Sequence, residues 1–289
     1  MSFDIRVWWA ALSAVALLNF VVWGVAARAL QREREDPSYA ARRTQLWLAF
    51  VYVAVCAFRS FLPRADVQRI CLVDTPLSSV FVGRSVATVA ELCFAMQWGL
   101  FIQYCGAATG DKVVRNIGRL LFPMIIWAEI ASWYAVVSTN FLGNVLEQST
   151  WTLGGTLIAL SYIKVYPRAD QRLKLFLRRS SPVVLAFIYF MCTVDIPHYY
   201  AHWSADQQAG KVYLAFGAGL YDAATRWIVT YEWAAWTDEV AWMSLYFSVG
   251  VWLSIAFSHA PLTAAARGLR FGTDVQRVPG VDVEPQREV

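Results

Sequence analysis

The feature that most constrains the fold is an apolar run over residues 80–103 that is long enough to cross a bilayer. Polar side chains interrupt this run at Arg84, Glu91 and Gln97. A charged side chain at the centre of a bilayer costs roughly 2.5 to 3.5 kcal/mol, so these groups should face protein or water rather than lipid. Because a helix turns by about 100° per residue, Arg84, Thr88 and Glu91 share one stripe of its surface. The sequence therefore predicts a membrane protein with a polar interior.

Other apolar runs also have the length of a membrane span, and the composition agrees with them. Hydrophobic residues make up 58% and charged residues 16% of the 289 residues, and the mean hydropathy is +0.42. Ordinary soluble domains are less apolar and more charged. The first run is expected to remain as an uncleaved span. The predicted fold is an all-α polytopic membrane protein, a bundle of seven transmembrane helices over residues 7–30, 46–62, 80–103, 120–138, 151–166, 183–199 and 240–258.

One further apolar segment, residues 212–229, fits less well as a span because it holds Asp222 and Arg226. We expect a re-entrant or interfacial helix there, before the last span, with these two residues paired across one helical turn. Residues 1–267 are predicted to form one transmembrane domain. Residues 268–289 are polar and lack helical periodicity, and they are predicted to form a mobile cytoplasmic tail.

Lysine and arginine are distributed unevenly between the loops. Of the 25 basic residues, 18 lie in the loops after the first, third, fifth and seventh runs. Because cytoplasmic loops are enriched in these residues, the N-terminus is predicted outside and the C-terminus in the cytoplasm, in a plasma or inner membrane. No nucleic-acid partner is predicted. Of the five cysteines only Cys71 lies in a polar loop, which we expect outside, and no disulfide framework is expected.

The predicted orientation places ionisable residues of four spans in the outer half or the middle of the bilayer. Such residues mark a substrate or ion pathway by default, and the alternative is a purely structural pairing of helices. Glu91, Asp195 and His198 are the candidate acid–base catalysts. Guanidinium groups suit an anionic or carbonyl group of a substrate. The predicted substrate-binding residues are Arg59, Arg84, Thr88, Glu129, Asp222 and Arg226.

The end of the sixth span carries a second polar group, made of Asp195, His198 and His202. If the helix continues past Pro197, these three side chains share one face. A carboxylate and two imidazoles form a ligand set for a divalent zinc, iron or copper ion, so a divalent metal is the candidate cofactor. The same residues would also serve acid–base chemistry, substrate hydrogen bonding or a plain interfacial polar patch.

Tryptophan and tyrosine are dense near the predicted outer surface, for example at Trp133, Tyr199 and Trp242. Such residues anchor a protein at the membrane interface, or they form the walls of a cavity for a hydrophobic substrate or a cation. The acids Asp238 and Glu239 lie among them. These acids would guard the entrance of such a cavity or be solvated at the surface.

The leading functional hypothesis is a membrane-embedded enzyme that acts on a lipidic or amphipathic substrate through an outward-facing, aromatic-walled polar cavity, with membrane lipids as its partners. The alternative is a proton- or ion-coupled small-molecule transporter in which Glu91 and Glu129 titrate. A third hypothesis is a heptahelical sensory or partner subunit. The lack of internal repeats counts against the transporter. The lack of a phosphate-binding loop, an HExxH motif or a nucleophile elbow counts against the enzyme.

Overall fold

A computed structural model describes residues 4–261, and within that range the regular secondary structure is helical apart from three two-residue strands. The all-α fold class predicted from the sequence is therefore confirmed. The strands are β1 (Arg64–Ala65), β2 (Ile70–Cys71) and β3 (Ile228–Val229). The helices are α1 (Ile5–Gln31), α2 (Tyr39–Phe61), α3 (Val80–Ala108), α4 (Lys112–Ser138), α5 (Leu142–Val165), α6 (Gln171–Phe190), α7 (Ile196–Gln208), α8 (Phe216–Thr225), α9 (Trp233–Leu245) and α10 (Val251–Ala256).

Six helical stretches among the described residues are long and apolar enough to cross a membrane. Each coincides with one of the predicted spans. The last two are composite, because the π-helical turn Met191–Asp195 joins α6 to α7 and the π-helical turn Tyr246–Gly250 joins α9 to α10. The predicted span over residues 151–166 lies within α5, a 24-residue helix that is not one of the six. The six stretches are Ile5–Gln31, Tyr39–Phe61, Val80–Ala108, Lys112–Ser138, Gln171–Gln208 and Trp233–His259.

Side-chain caps begin the two helices that carry most of the polar interior. The hydroxyl of Ser79 accepts a hydrogen bond of 3.4 Å from the amide of Val82 at the start of α3. A carboxylate oxygen of Asp111 accepts from the amides of Val113 and Val114 at the start of α4. Such caps satisfy amides that have no partner inside the helix. The hydrogen bond from Val114 also helps to hold the pKa of Asp111 below its usual value.

Helices α3 and α4 form the most extensive helix pair in the described part of the chain. Glycines allow the two backbones to touch. A Cβ atom at Gly99 would lie 2.9 Å from the carbonyl oxygen of Gly118, and one at Gly118 would lie 2.5 Å from the backbone nitrogen of Gln103. Small residues at such crossings are characteristic of helix packing in membranes, where close approach replaces the hydrophobic effect as a driving force.

Contacts between loops define two ends of the bundle. At one, which we call the basic end, Arg42 Nε donates to the carbonyl oxygen of Ser258 at 2.8 Å, and Lys164 Nζ lies 3.3 Å from Asp111 Oδ1. At the other, the capped end, the strands form a sheet in the order β1-β2-β3 that joins the segments before α3 and α9. Lys211 Nζ donates there to the carbonyl oxygen of Thr139 at 3.2 Å. Because Thr139 precedes α5 and Lys164 is near its end, α5 runs from the capped end to the basic end.

One sequence-based expectation changes at the capped end. The sequence predicts Cys71 in a polar outer loop, but its side chain is fully buried, and its strand β2 pairs with both β1 and β3. Helix α8 has only 10 residues, which at 1.5 Å per residue is about half of a 30 Å hydrocarbon core. It therefore does not cross the membrane by itself. The predicted tail, residues 268–289, lies outside the described residues.

We expect Gly118→Ala to lower the thermal stability of the purified protein in detergent. Alanine normally stabilises a helix relative to glycine, but here its methyl group would press on the backbone of α3, and overpacking of this kind costs about 1 to 3 kcal/mol. The matched control is Gly24→Ala, since no other described part of the chain comes within 4 Å of a Cβ atom added there. An unchanged unfolding temperature for Gly118→Ala would contradict the close packing of α3 on α4.

Candidate functional site

Arg84 lies at the centre of an ion-pair network in the interior of the bundle. Its Nη2 atom is 2.8 Å from Glu91 Oε2 and 2.7 Å from Glu129 Oε2, and its Nη1 atom is 3.5 Å from Glu147 Oε1. All four side chains are buried. One guanidinium group therefore faces three carboxyl groups in a region that water reaches poorly.

Three helices bring these groups together. Arg84 and Glu91 are two turns apart on α3, whereas Glu129 comes from α4 and Glu147 from α5. Carboxylate oxygens of the three glutamates lie within 4.8 Å of one another. Ionising all three carboxyl groups at this distance in a poorly solvated site is costly, because their negative charges repel one another. The surplus negative charge must be offset by bound protons, by a bound cation or by other buried basic side chains nearby.

Hydroxyl and indole groups hold the carboxyl groups in place. The Thr88 hydroxyl donates to Glu129 Oε2 at 2.6 Å, and Trp133 Nε1 donates to the Thr88 oxygen at 3.0 Å. The Tyr246 hydroxyl donates to Glu91 Oε1 at 3.3 Å. Among the described residues, no group is hydrogen-bonded to Glu129 Oε1. That oxygen is therefore available to a water molecule or a proton.

A small cavity adjoins the network on the side of the capped end. Its volume of about 40 Å³ suits about three water molecules, and drug-sized ligands need several hundred Å³. Among the described residues that line it, only Tyr199 and Trp242 are aromatic. The wall is therefore mainly polar, whereas the sequence predicted aromatic walls. The charged residues that line it are Arg59, Arg64, Asp66, Arg84, Glu147 and Glu239.

Two further arginines reach this cavity from the capped end. Arg64 Nε lies 3.4 Å from Asp66 Oδ1. Burial lowers the pKa of Arg64 to about 10 although Asp66 raises it, so Arg64 carries a positive charge at neutral pH. The guanidinium of Arg59 lies 5.5 Å from the centre of the Phe247 ring, in a cation–π arrangement.

The two histidines lie together, but with a different acid from the one expected. The imidazole rings of His198 and His202 are 4.5 Å apart between centres, and the group of potential ligand atoms within 4.8 Å contains Asp238 of α9. Asp195 does not belong to this group; it is buried at the end of the π-helical turn. The wider π turn changes the rotation of the helix before α7, so Asp195 does not follow the face expected for a continuous α-helix.

Asp222 and Arg226 are in the cap rather than at the cavity. Their expected pairing is observed, with Arg226 Nε 2.6 Å from Asp222 Oδ1. Asp222 Oδ2 also accepts from Arg69 Nε at 2.8 Å, and Arg69 Nη2 donates to the carbonyl oxygen of Val136 at 2.7 Å. These bonds join α8 to the β1–β2 hairpin and to α4. A role in substrate binding stays a prediction for both residues.

Sequence reasoning missed Glu147, Arg64 and Asp66. The predicted fifth span begins at residue 151 and leaves Glu147 in a loop, whereas α5 begins at Leu142. A signal was present, because Asn144, Glu147 and Gln148 are spaced as one face of a helix and all line the cavity. Arg64 and Asp66 lie in a short hairpin whose position no local pattern predicts.

We expect Arg84→Leu to destabilise the folded protein by about 3 to 5 kcal/mol, because it leaves three buried carboxyl groups without their cation. Adding Glu91→Gln and Glu129→Gln to this variant should restore part of the loss, since the amides carry no charge. Thermal unfolding in detergent measures both effects. Arg43→Leu, at an exposed position, is the control and should change stability by less than about 0.5 kcal/mol. A null effect of Arg84→Leu would mean that the network contributes nothing to folding.

Comparison of the chain with protein-family models, with curated proteins and with solved structures finds no match. No function is therefore carried over from another protein. What supports a function is the geometry itself: buried carboxyl groups around Arg84 and a small polar cavity beside them.

Proposed function

We propose that this chain is a proton- or ion-coupled small-molecule transporter of a cell membrane. One observation carries the proposal, namely the three buried glutamates that share the guanidinium of Arg84 beside a water-sized cavity. Ionisable groups inside membrane spans are costly and mark proton relays and ion pathways by default. Here they are too numerous for one arginine to neutralise.

Proton exchange follows from this arrangement. Carboxyl groups within a few ångströms of one another titrate as a unit, so a proton bound at one changes the affinity of the others. Glu147 lines the cavity and lies near Arg84 Nη1, whereas Glu91 and Glu129 do not line it and are paired with Arg84 Nη2. Protons would enter through the cavity at Glu147 and pass to Glu129 and Glu91. Tyr246 and Thr88 supply hydroxyl groups for this transfer.

The proposed topology has seven spans, with the N-terminus outside and the C-terminus in the cytoplasm of a plasma or inner membrane. The end-to-end course of α5 supports a seventh crossing. The excess of lysine and arginine in the loops of the basic end supports its cytoplasmic location. The capped end, and with it the mouth of the cavity, then faces outside. Helix α8 would lie at the outer interface, where its exposed Phe216 and Tyr221 contact lipid headgroups.

A membrane-embedded enzyme is the second candidate, and one observation favours it. His198, His202 and Asp238 are close enough to be brought around a divalent metal ion that would activate water. The size of the cavity counts against a lipidic or amphipathic substrate, since such a molecule needs far more than about 40 Å³. The transporter is therefore preferred.

The proposed topology is tested with two single-cysteine additions at exposed positions, Ala209→Cys at the capped end and Glu35→Cys at the basic end. On intact cells an impermeant maleimide should label Ala209→Cys at once and Glu35→Cys only after lysis. The unmodified chain gives the background, because its own cysteines are buried or lie within the bundle, apart from the exposed Cys192. The reverse labelling pattern would show that the N-terminus and the capped end face the cytoplasm.

Proton transport is tested in liposomes that enclose a pH-sensitive dye. An inward proton gradient should acidify vesicles that contain the wild-type protein, and Glu129→Gln should slow this at least tenfold because an amide binds no proton in this pH range. Glu232→Gln makes the same chemical change at an exposed position and should act as wild type. Glu129→Gln acidifying the vesicles as fast as wild type rules out the relay. Chemically altered lipids recovered from the vesicles would favour the enzyme instead.

A further inference from the structure

Several guanidinium nitrogens around the cavity have no hydrogen-bond partner in the described part of the chain. Arg64 is almost fully buried, and neither its Nη1 nor its Nη2 atom has a hydrogen-bond partner among residues 4–261. Arg59 Nη1 and Arg84 Nε are also buried without a hydrogen-bond partner within that part of the chain. All three side chains line the one cavity. A buried arginine has five donors and normally uses most of them, so this concentration of free donors points to a ligand that accepts hydrogen bonds.

The position of Arg64 is built into the fold. Its guanidinium rests on the backbone of α3 at Gly83, where an added Cβ atom would overlap it. On the other side it lies 5.9 Å from the centre of the Phe58 ring. Only glycine leaves this space at residue 83. The arginine is therefore held over the cavity by the packing of β1 on α3 and does not reach outward to solvent.

We propose that Arg59, Arg64 and Arg84 bind a small monovalent oxyanion, a short monocarboxylate, and that this anion is the substrate of the transporter. This inference rests on the proton-coupled function proposed above and names its substrate class. A guanidinium presents a planar fork of donors that matches the two oxygens of a carboxylate. The cavity volume of about 40 Å³ restricts the anion to a few heavy atoms.

The charges around the cavity explain why the anion is monovalent and why it travels with protons. The walls carry Arg59, Arg64 and Arg84, but also Asp66, Glu147 and Glu239, and Arg84 is shared with Glu91 and Glu129. A divalent anion would be repelled by these acids. A monovalent anion competes with the carboxylates for the same guanidinium groups, so protonation of a glutamate frees donors for it. Binding of the proton and of the anion must then favour each other equally.

Calorimetric titration of the purified protein with acetate tests the site. We expect saturable binding of acetate that is tighter at pH 5.5 than at pH 7.5, and none of acetamide, which has the same shape without the charge. Arg64→Gln should weaken acetate binding at least tenfold. Gly83→Ala should do the same by displacing the guanidinium. Arg43→Gln and Gly24→Ala are the matched controls, and both should bind acetate as wild type does.

Each outcome decides the proposal. Absence of saturable acetate binding to the folded wild-type protein overturns it, as does equal binding by folded Arg64→Gln and Gly83→Ala. If both variants fail to fold, the wild-type comparison decides: acetate bound in preference to acetamide and sulfate supports the site, and no preference overturns it. Acetate binding without any proton flux into liposomes would remove the transport function but keep the anion site. Proton flux without acetate binding would keep the transport function but remove the anion site.

Discussion

The interior of this bundle depends on the guanidinium of Arg84, which holds carboxyl groups from three helices within hydrogen-bonding or ion-pairing distance. Each of these charges would be costly next to lipid, and each becomes tolerable only because the others are present. The network is nevertheless unbalanced, since three acids face one base. The net charge of such a site depends on how many protons or ions it binds. The same binding therefore affects both the stability of the fold and the chemistry of the site.

Close packing makes the network compact. Glycine contacts bring α4 onto α3 at Gly118 and α5 onto α4 at Gly143, so the helices that carry Arg84, Glu129 and Glu147 lie side by side. In a bilayer, where lipid tails are as apolar as leucine, contacts between small residues and polar bonds are what hold helices together. The same contacts therefore stabilise the bundle and place its ionisable groups.

The cap, formed by the three-stranded sheet and α8, separates the polar interior from water at one end of the bundle. The three-strand sheet and α8 cover the end of the bundle, and the bonds of Asp222 to Arg69 and Arg226 fasten the cap. Arg64 enters the bundle from this cap and rests over Gly83, beside the cavity. The cap thus contributes charge to the site as well as covering it. In the proposed transporter such an element would limit access to the buried ion site to one side at a time.

The local sequence pattern alone determined the fold class and most of the helices of this protein. Apolar length predicted the helical membrane class and six stretches that the structure also has, and helical spacing placed Arg84, Thr88 and Glu91 on one face. These features depend on neighbours a few residues apart, which the 3.6-residue period links directly. The pairing of Asp222 with Arg226 succeeded for the same reason. The span count and the roles of the site residues remain predictions.

Only the tertiary structure decided which distant groups meet. Glu147 joins Arg84 because α5 begins earlier than its apolar run and packs against α4, and Arg64 reaches the cavity through a hairpin with no periodic pattern. Asp238 replaces Asp195 beside the histidines because a π turn rotates one helix and another helix supplies the acid. The sequence alone shows which charged residues lie in apolar segments and are therefore costly to bury. Which residue pairs with each of them depends on the packing of helices that are far apart along the chain.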